Sequence, residues 1–136
     1  MSKIVSLSEA ASIAIHGIIL IARSPVSLNV IQIAEDTGTS KHHVAKVMQR
    51  LVKFNFITSQ RGPTGGFMLS VSPDTLSFLE IYEAIEGKIE VSKCPMDKKV
   101  CTFDTCILDN ISKRMTMEFK EYLGGQMVGM YLKDKP

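Results

Sequence analysis

Three cysteines, Cys94, Cys101 and Cys106, stand in C-x6-C-x4-C order inside KCPMDKKVCTFDTC, a stretch with no helical or strand period. Sulfurs this close together on irregular chain can converge on one centre, and soft thiolates select iron-sulfur clusters, zinc or copper(I). Three thiols cannot all pair within one chain, which suits a reducing cytoplasm and a metal or thiol-switch role better than a disulfide frame. Three thiolates also leave one position for a weaker ligand, a composition that favours a labile, sensing site over a closed structural one. The eight methionines read as adaptable core rather than as ligands.

A second stretch carries a different chemistry. Between Thr37 and Pro73 stand Lys41, Lys46, Arg50, Lys53 and Arg61, with no Asp or Glu among them. Solvated helix faces mix signs, because opposite charges four residues apart attract and like charges repel. A run without carboxylates instead makes a local positive field, the footprint expected for phosphate. The formal net charge of +2 conceals it, since the rest of the chain is acidic on balance.

Both stretches need elements to position them. Ser6 or Ser8 before Glu9 opens a first helix reaching Arg23, with Ala10, Ile13, Ala14, Gly17, Ile18 and Ile21 inward and His16 as a core histidine. Pro25 ends it, and Ser27 or Asn29 caps a short second helix, Val30 to Asp36, with Val30, Ile33 and Ala34 buried. Thr37-Gly38 is the break, and Ser40 caps a third helix whose buried stripe is Val44, Val47, Met48 and Leu51. Its opposite face is left to His42, His43, Lys46, Gln49, Arg50 and Lys53, so the pair reads as a helix-turn-helix with a donor-rich second helix suited to a major groove.

Phe56 to Arg61 and Phe67 to Val71 then read as two short strands, with Ile57, Phe67, Leu69 and Val71 inward, joined by Gly62-Pro63-Thr64-Gly65-Gly66. A hairpin directly after a recognition helix is a wing, with Arg61 at its base and Thr64 at its tip. Ser72-Pro73-Asp74-Thr75 caps a fourth helix, Leu76 to Glu86, that stops at Gly87. A long helix resumes at about Ile107 and carries Leu108, Ile111, Met115, Phe119, Tyr122 and Met127 along one side, more apolar surface than so small a core needs. That surplus predicts burial against a second copy.

The expected fold is therefore mainly α with a small β-hairpin, a winged helix-turn-helix with a long C-terminal dimerisation helix. Its expected organisation is a DNA-binding part over 1–87, a cysteine loop over 88–106 and a dimerisation helix and tail over 107–136, in one compact domain. No window holds about 18 uncharged apolar residues, so no membrane span is expected. Glu9 and His16 interrupt the apolar start too early for a signal peptide. No glycine motif forms a cleft and no Cys, His and Asn set has workable spacing, so an enzyme is not expected, nor a small-molecule substrate.

The combination of AEDTGTSKHHVAKVMQRL, the wing RGPTGGFML, the following SPDTLSFLEIYEAIEG and a three-cysteine loop before a long helix resembles the Rrf2 family of bacterial transcription regulators over nearly the whole chain. The run SKHHVAKV is most similar to the nitric-oxide-responsive branch. The resemblance implies a cytoplasmic, homodimeric winged-helix repressor whose affinity for a double-stranded operator is set by a 2Fe-2S or 4Fe-4S cluster sensing nitric oxide, redox state or iron-sulfur status. It implies Cys94, Cys101 and Cys106 as iron ligands. Some relatives complete the site with a histidine three residues beyond the last cysteine, where this chain has Asp109. Others use a carboxylate near the start of the first helix, where this chain has Glu9, the preferred fourth ligand. Ser40, Lys41, His42, His43, Lys46, Arg50, Lys53, Arg61 and Thr64 are the expected DNA contacts, with His42, His43 and Lys46 toward base edges and the longer basic side chains toward phosphates.

Overall fold

The computed structural model describes residues 1–91 and 101–133. Each of the first three helices begins at a side-chain cap. Ser8 accepts from the Ala11 N–H at the start of α1 (Glu9–Arg23), and Asn29 shares a capping box with Gln32 at the start of α2 (Val30–Thr37). Ser40 accepts from the His43 N–H at the start of α3 (Lys41–Lys53). Such caps satisfy backbone donors that the first turn leaves unpaired. Gly38, at φ +67°, makes the left-handed turn between α2 and α3 and donates to the Ala34 and Glu35 carbonyls.

The helices close on one core. Val44, Val47, Met48 and Leu51 of α3 are all buried, as the helical spacing predicts, against Ile13, Ile18 and Ile21 of α1 and Ile33 of α2. Gly17 lets α1 approach: a Cβ there would lie 2.7 Å from the Met48 methyl. The antiparallel strands β1 (Ile57–Gln60) and β2 (Gly66–Leu69) pair in the register Ile57↔Leu69 to Gln60↔Gly66. Leu28 adds a rung on the other edge of β2, exchanging both backbone hydrogen bonds with Phe67 at 3.2 and 2.7 Å. That rung explains the invasive glycine at the strand start, because a Cβ on Gly66 would stand 2.4 Å from the Leu28 carbonyl oxygen. The glycine-rich connection therefore serves a close approach within the chain.

Helix α4 (Phe78–Glu86) starts later than its sequence suggests. Ser72 to Thr75 form a turn closed by Thr75 N–H to the Ser72 carbonyl, and the cap is Ser77, boxed with Glu80. Leu76 is still buried, but it lies before the helix, and its carbonyl accepts from the Val128 N–H. Helix α5 (Ile111–Gly125) also starts later, at Ile111 rather than Ile107, because Asp109 and Asn110 both adopt positive φ and turn the chain first. After Gly125 the chain folds back: a 3-10 turn, Val128–Tyr131, buries Val128 and stacks Tyr131 on Phe78 at 5.3 Å. Two other expectations change. Val71 is exposed at the sheet's open end, and His16 lies on the solvent side of α1, with Nδ1 2.7 Å from the Ser12 carbonyl oxygen one turn earlier.

Candidate nucleic-acid interface and cysteine loop

The basic side chains sit where the α3 stripe leaves them. At about 100° per residue, His42, Lys46, Gln49 and Lys53 fall opposite the buried residues, and all four are exposed. Lys41 is exposed at the first turn beside the Ser40 cap, where helix N–H groups and the positive end of the dipole favour an anion. The wing stands beside them. Arg61 and Thr64 are exposed at its bend, and Ser27 Oγ donates to the Thr64 carbonyl at 2.8 Å, pinning the tip to the segment before α2. The chain from α3 through the wing itself carries no acidic side chain.

Two residues expected to face DNA, half-buried His43 and exposed Arg50, also have partners in their own chain. His43 and Arg50, seven positions apart, share a line between the outward row and the buried stripe. His43 Nδ1 lies 3.2 Å from a Glu9 carboxylate oxygen at the start of α1, a pair exposed enough to be largely screened. Arg50 Nη2 donates to the Ala84 and Ile85 carbonyls at the end of α4, at 3.3 and 2.6 Å. Sequence reading grouped these two with the outward row because each partner lies 34 or more positions away. Their position at the margin of the stripe is the signal that was present.

Of the thiols, Cys94 lies outside the described residues. Cys101 and Cys106 are exposed and free, and the Asn110 N–H donates to Cys106 Sγ at 3.4 Å. Asp109 is 92% exposed at its side chain and paired to Arg114 at 3.1 Å. Among the described residues no three His, Cys, Asp or Glu side chains gather around a metal-sized space.

A basic recognition helix behind a glycine turn, followed by a two-stranded hairpin and backed by α1 and α4, defines a winged helix-turn-helix protein. A family model described as "Rrf2: Iron-dependent Transcriptional regulator" matches residues 7–133, and the chain belongs to the Rrf2 family. Among curated relatives, the HTH-type transcriptional regulator NsrR of Bacillus subtilis is 27% identical over 121 residues, 87% of this chain and 83% of that one. IscR of Aliivibrio salmonicida is 26% identical over 103 residues, 75% of this chain. This chain spans only 61% of that IscR, and 60% of a similar Azotobacter vinelandii regulator. The solved structure of CymR, the global cysteine regulator of B. subtilis, superposes with a TM-score of 0.75 over 93% of this chain and 95% of that one; at 20% identity the likeness is one of fold.

Proposed function

We propose that this chain is a cytoplasmic, homodimeric transcription regulator that reads a double-stranded operator with α3 and the wing. We further propose that an iron-sulfur cluster responsive to nitric oxide, redox state or iron-sulfur status sets its affinity. The observation that carries the DNA-binding part is the stretch from α3 through the wing, which exposes Lys41, His42, Lys46, Lys53 and Arg61 and contributes no carboxylate of its own. In this reading His42 and Lys46 meet base edges, while Lys41, Lys53, Arg61 and the Thr64 tip meet phosphates and the neighbouring groove. No helix among the described residues is long and apolar enough to cross a membrane.

The donor chemistry of the loop fits a soft metal centre: two accessible free thiols, one of them already accepting an amide hydrogen bond, with a third thiol twelve positions before Cys106. Cys94, Cys101 and Cys106 would hold the cluster, which when bound supplies reactivity toward nitric oxide and oxidants. Glu9, or Asp109 in second place, would supply the fourth ligand, and each would first give up its present partner, His43 or Arg114. The loop spans 88–106 between the DNA-binding part, 1–87, and the C-terminal helix with its tail, 107–136. The apolar residues that α5 and the turn before it leave uncovered, Ile107 at 72% and Tyr122 at 58% among them, supply the surface for a second copy. Two copies then present two recognition helices to half-sites about one helical turn apart.

Anaerobic purification with iron and sulfide assay and a visible spectrum, on wild type and Cys101→Ala, tests the sensor. Iron-dependent absorbance in wild type that disappears in the variant is expected. A colourless wild type after reconstitution would end the cluster reading and leave the exposed thiols as a redox or zinc site on a DNA-binding regulator. The DNA-binding part fails separately if wild type retains no duplex at low salt.

A further inference from the structure

Polar ties converge where α1 begins and α4 ends. Arg50 of α3 binds the Ala84 and Ile85 carbonyls, at 3.3 and 2.6 Å, and His43 of α3 meets Glu9 at 3.2 Å. Ser8, whose hydroxyl caps α1, also donates to the Glu86 carboxylate in the last turn of α4. Beyond that turn, the Gly87 N–H donates to the Glu83 carbonyl at 2.9 Å and the Ile89 N–H to the Glu83 carboxylate at 2.7 Å. Ile89 is the second residue of the cysteine loop.

The last carbonyls of a helix have no partner within it and carry the negative end of its dipole. With Gly87 on the Glu83 carbonyl, those of Ala84, Ile85 and Glu86 remain, and the Arg50 guanidinium answers the first two. We infer that Arg50, supported by His43, is a positioning residue that locks the recognition helix to the root of the cysteine loop, so that the state of one is felt by the other. This rests on the reading of α3 as the DNA-binding helix. A shift of the α4 end, driven from the loop, moves Arg50 and with it the row Lys46, Gln49 and Lys53. By reciprocity, DNA held on α3 restrains the α4 end.

Two measurements on the full chain separate this role from phosphate contact. The first is the salt dependence of binding to a duplex selected by wild type from a randomised pool. A lost phosphate contact lowers the slope of log K against log salt by about 0.9. Arg50→Ala should keep the wild-type slope, whereas Lys53→Ala and Arg61→Ala should each lower it. The second is hydrogen exchange of the segment 83–91, with and without that duplex. In wild type the duplex should slow it. In Arg50→Ala exchange should be faster by at least about tenfold, as expected when the charge-assisted tie to the two carbonyls is lost, and the duplex should no longer change it. Arg50→Lys, which keeps the charge but lacks the planar, preorganised guanidinium, should hold the slope and recover part of the protection; it also serves if the alanine variant does not fold.

A reduced slope in Arg50→Ala with unchanged exchange would make Arg50 a phosphate contact and overturn the inference. Wild-type exchange over 83–91 indifferent to bound duplex would reduce the tie to local stability and overturn the coupling. A wild type that binds no duplex defeats the prior reading of α3, a result distinct from both.

Discussion

Helices α3 and α5 are of similar length, 13 and 15 residues, and each carries an apolar stripe, yet they use it in opposite ways. Every residue of the α3 stripe is buried within this chain, between α1, α2 and α4. Helix α5 buries only Leu123; Phe119 meets Tyr82 edge-on at 5.5 Å, while Ile111, Met115, Met117 and Tyr122 remain open. One helix belongs to a self-sufficient reading head. The other leaves an apolar row in water, from which a lone chain gains nothing.

Substitutions that strike the two regions should therefore differ sharply. The largest loss is expected at Leu51, fully buried at the centre of the head. Leu51→Ala removes transfer energy and leaves a cavity, costing about 2–5 kcal/mol, read as a fall in Tm by calorimetry with DNA binding lost at physiological temperature. A cost below about 1 kcal/mol would mean that the head is loosely packed. Gly66→Ala comes next. Its Cβ would meet the Leu28 carbonyl oxygen at 2.4 Å, backbone against backbone, so the rung between Leu28 and Phe67 should open at a cost of about 2 kcal/mol. Faster exchange of the Leu28 and Phe67 amides, with the α3 core still protected, would locate the damage in the wing. Asn29→Ala should cost less, about 1 kcal/mol, by removing the cap of α2. Asn29→Asp, which keeps the acceptor, should recover most of it.

The same contrast explains what the sequence made legible. The α3 stripe could be read because a helix repeats every 3.6 residues, so Val44, Val47, Met48 and Leu51 declare one face without reference to anything else. The wing could be read from its glycines, although their purpose, the Leu28 rung, requires knowing which segment lies alongside. Helix starts were misplaced where two caps competed: Thr75 sits in a turn closed on Ser72, while Ser77 two residues later makes the box with Glu80. The start of α5 was hidden by Asp109 and Asn110, non-glycine residues with positive φ that no period signals. His43 and Arg50 were placed outward because their partners, Glu9 and the carbonyls of Ala84 and Ile85, are chosen by tertiary contact. Of the candidate metal site, the thiol spacing was legible, and so was the departure at Asp109, whose present partner Arg114 stands five positions on.

The smallest effect on stability, and the one that bears most directly on α5, is expected from Met117→Gln with Tyr122→Ser. Both side chains are exposed in the single chain, at 44% and 58%, so a monomer should lose less than about 0.5 kcal/mol. A dimer is different. Anything that binds the folded state raises apparent stability by mass action, so the Tm of a dimeric wild type climbs with protein concentration. The double variant should flatten that dependence and sediment as a monomer, while dilute samples of variant and wild type unfold together. If the row instead packs on nothing, wild type itself will show one mass and one Tm at every concentration, and the exposed face of α5 must answer to some other partner.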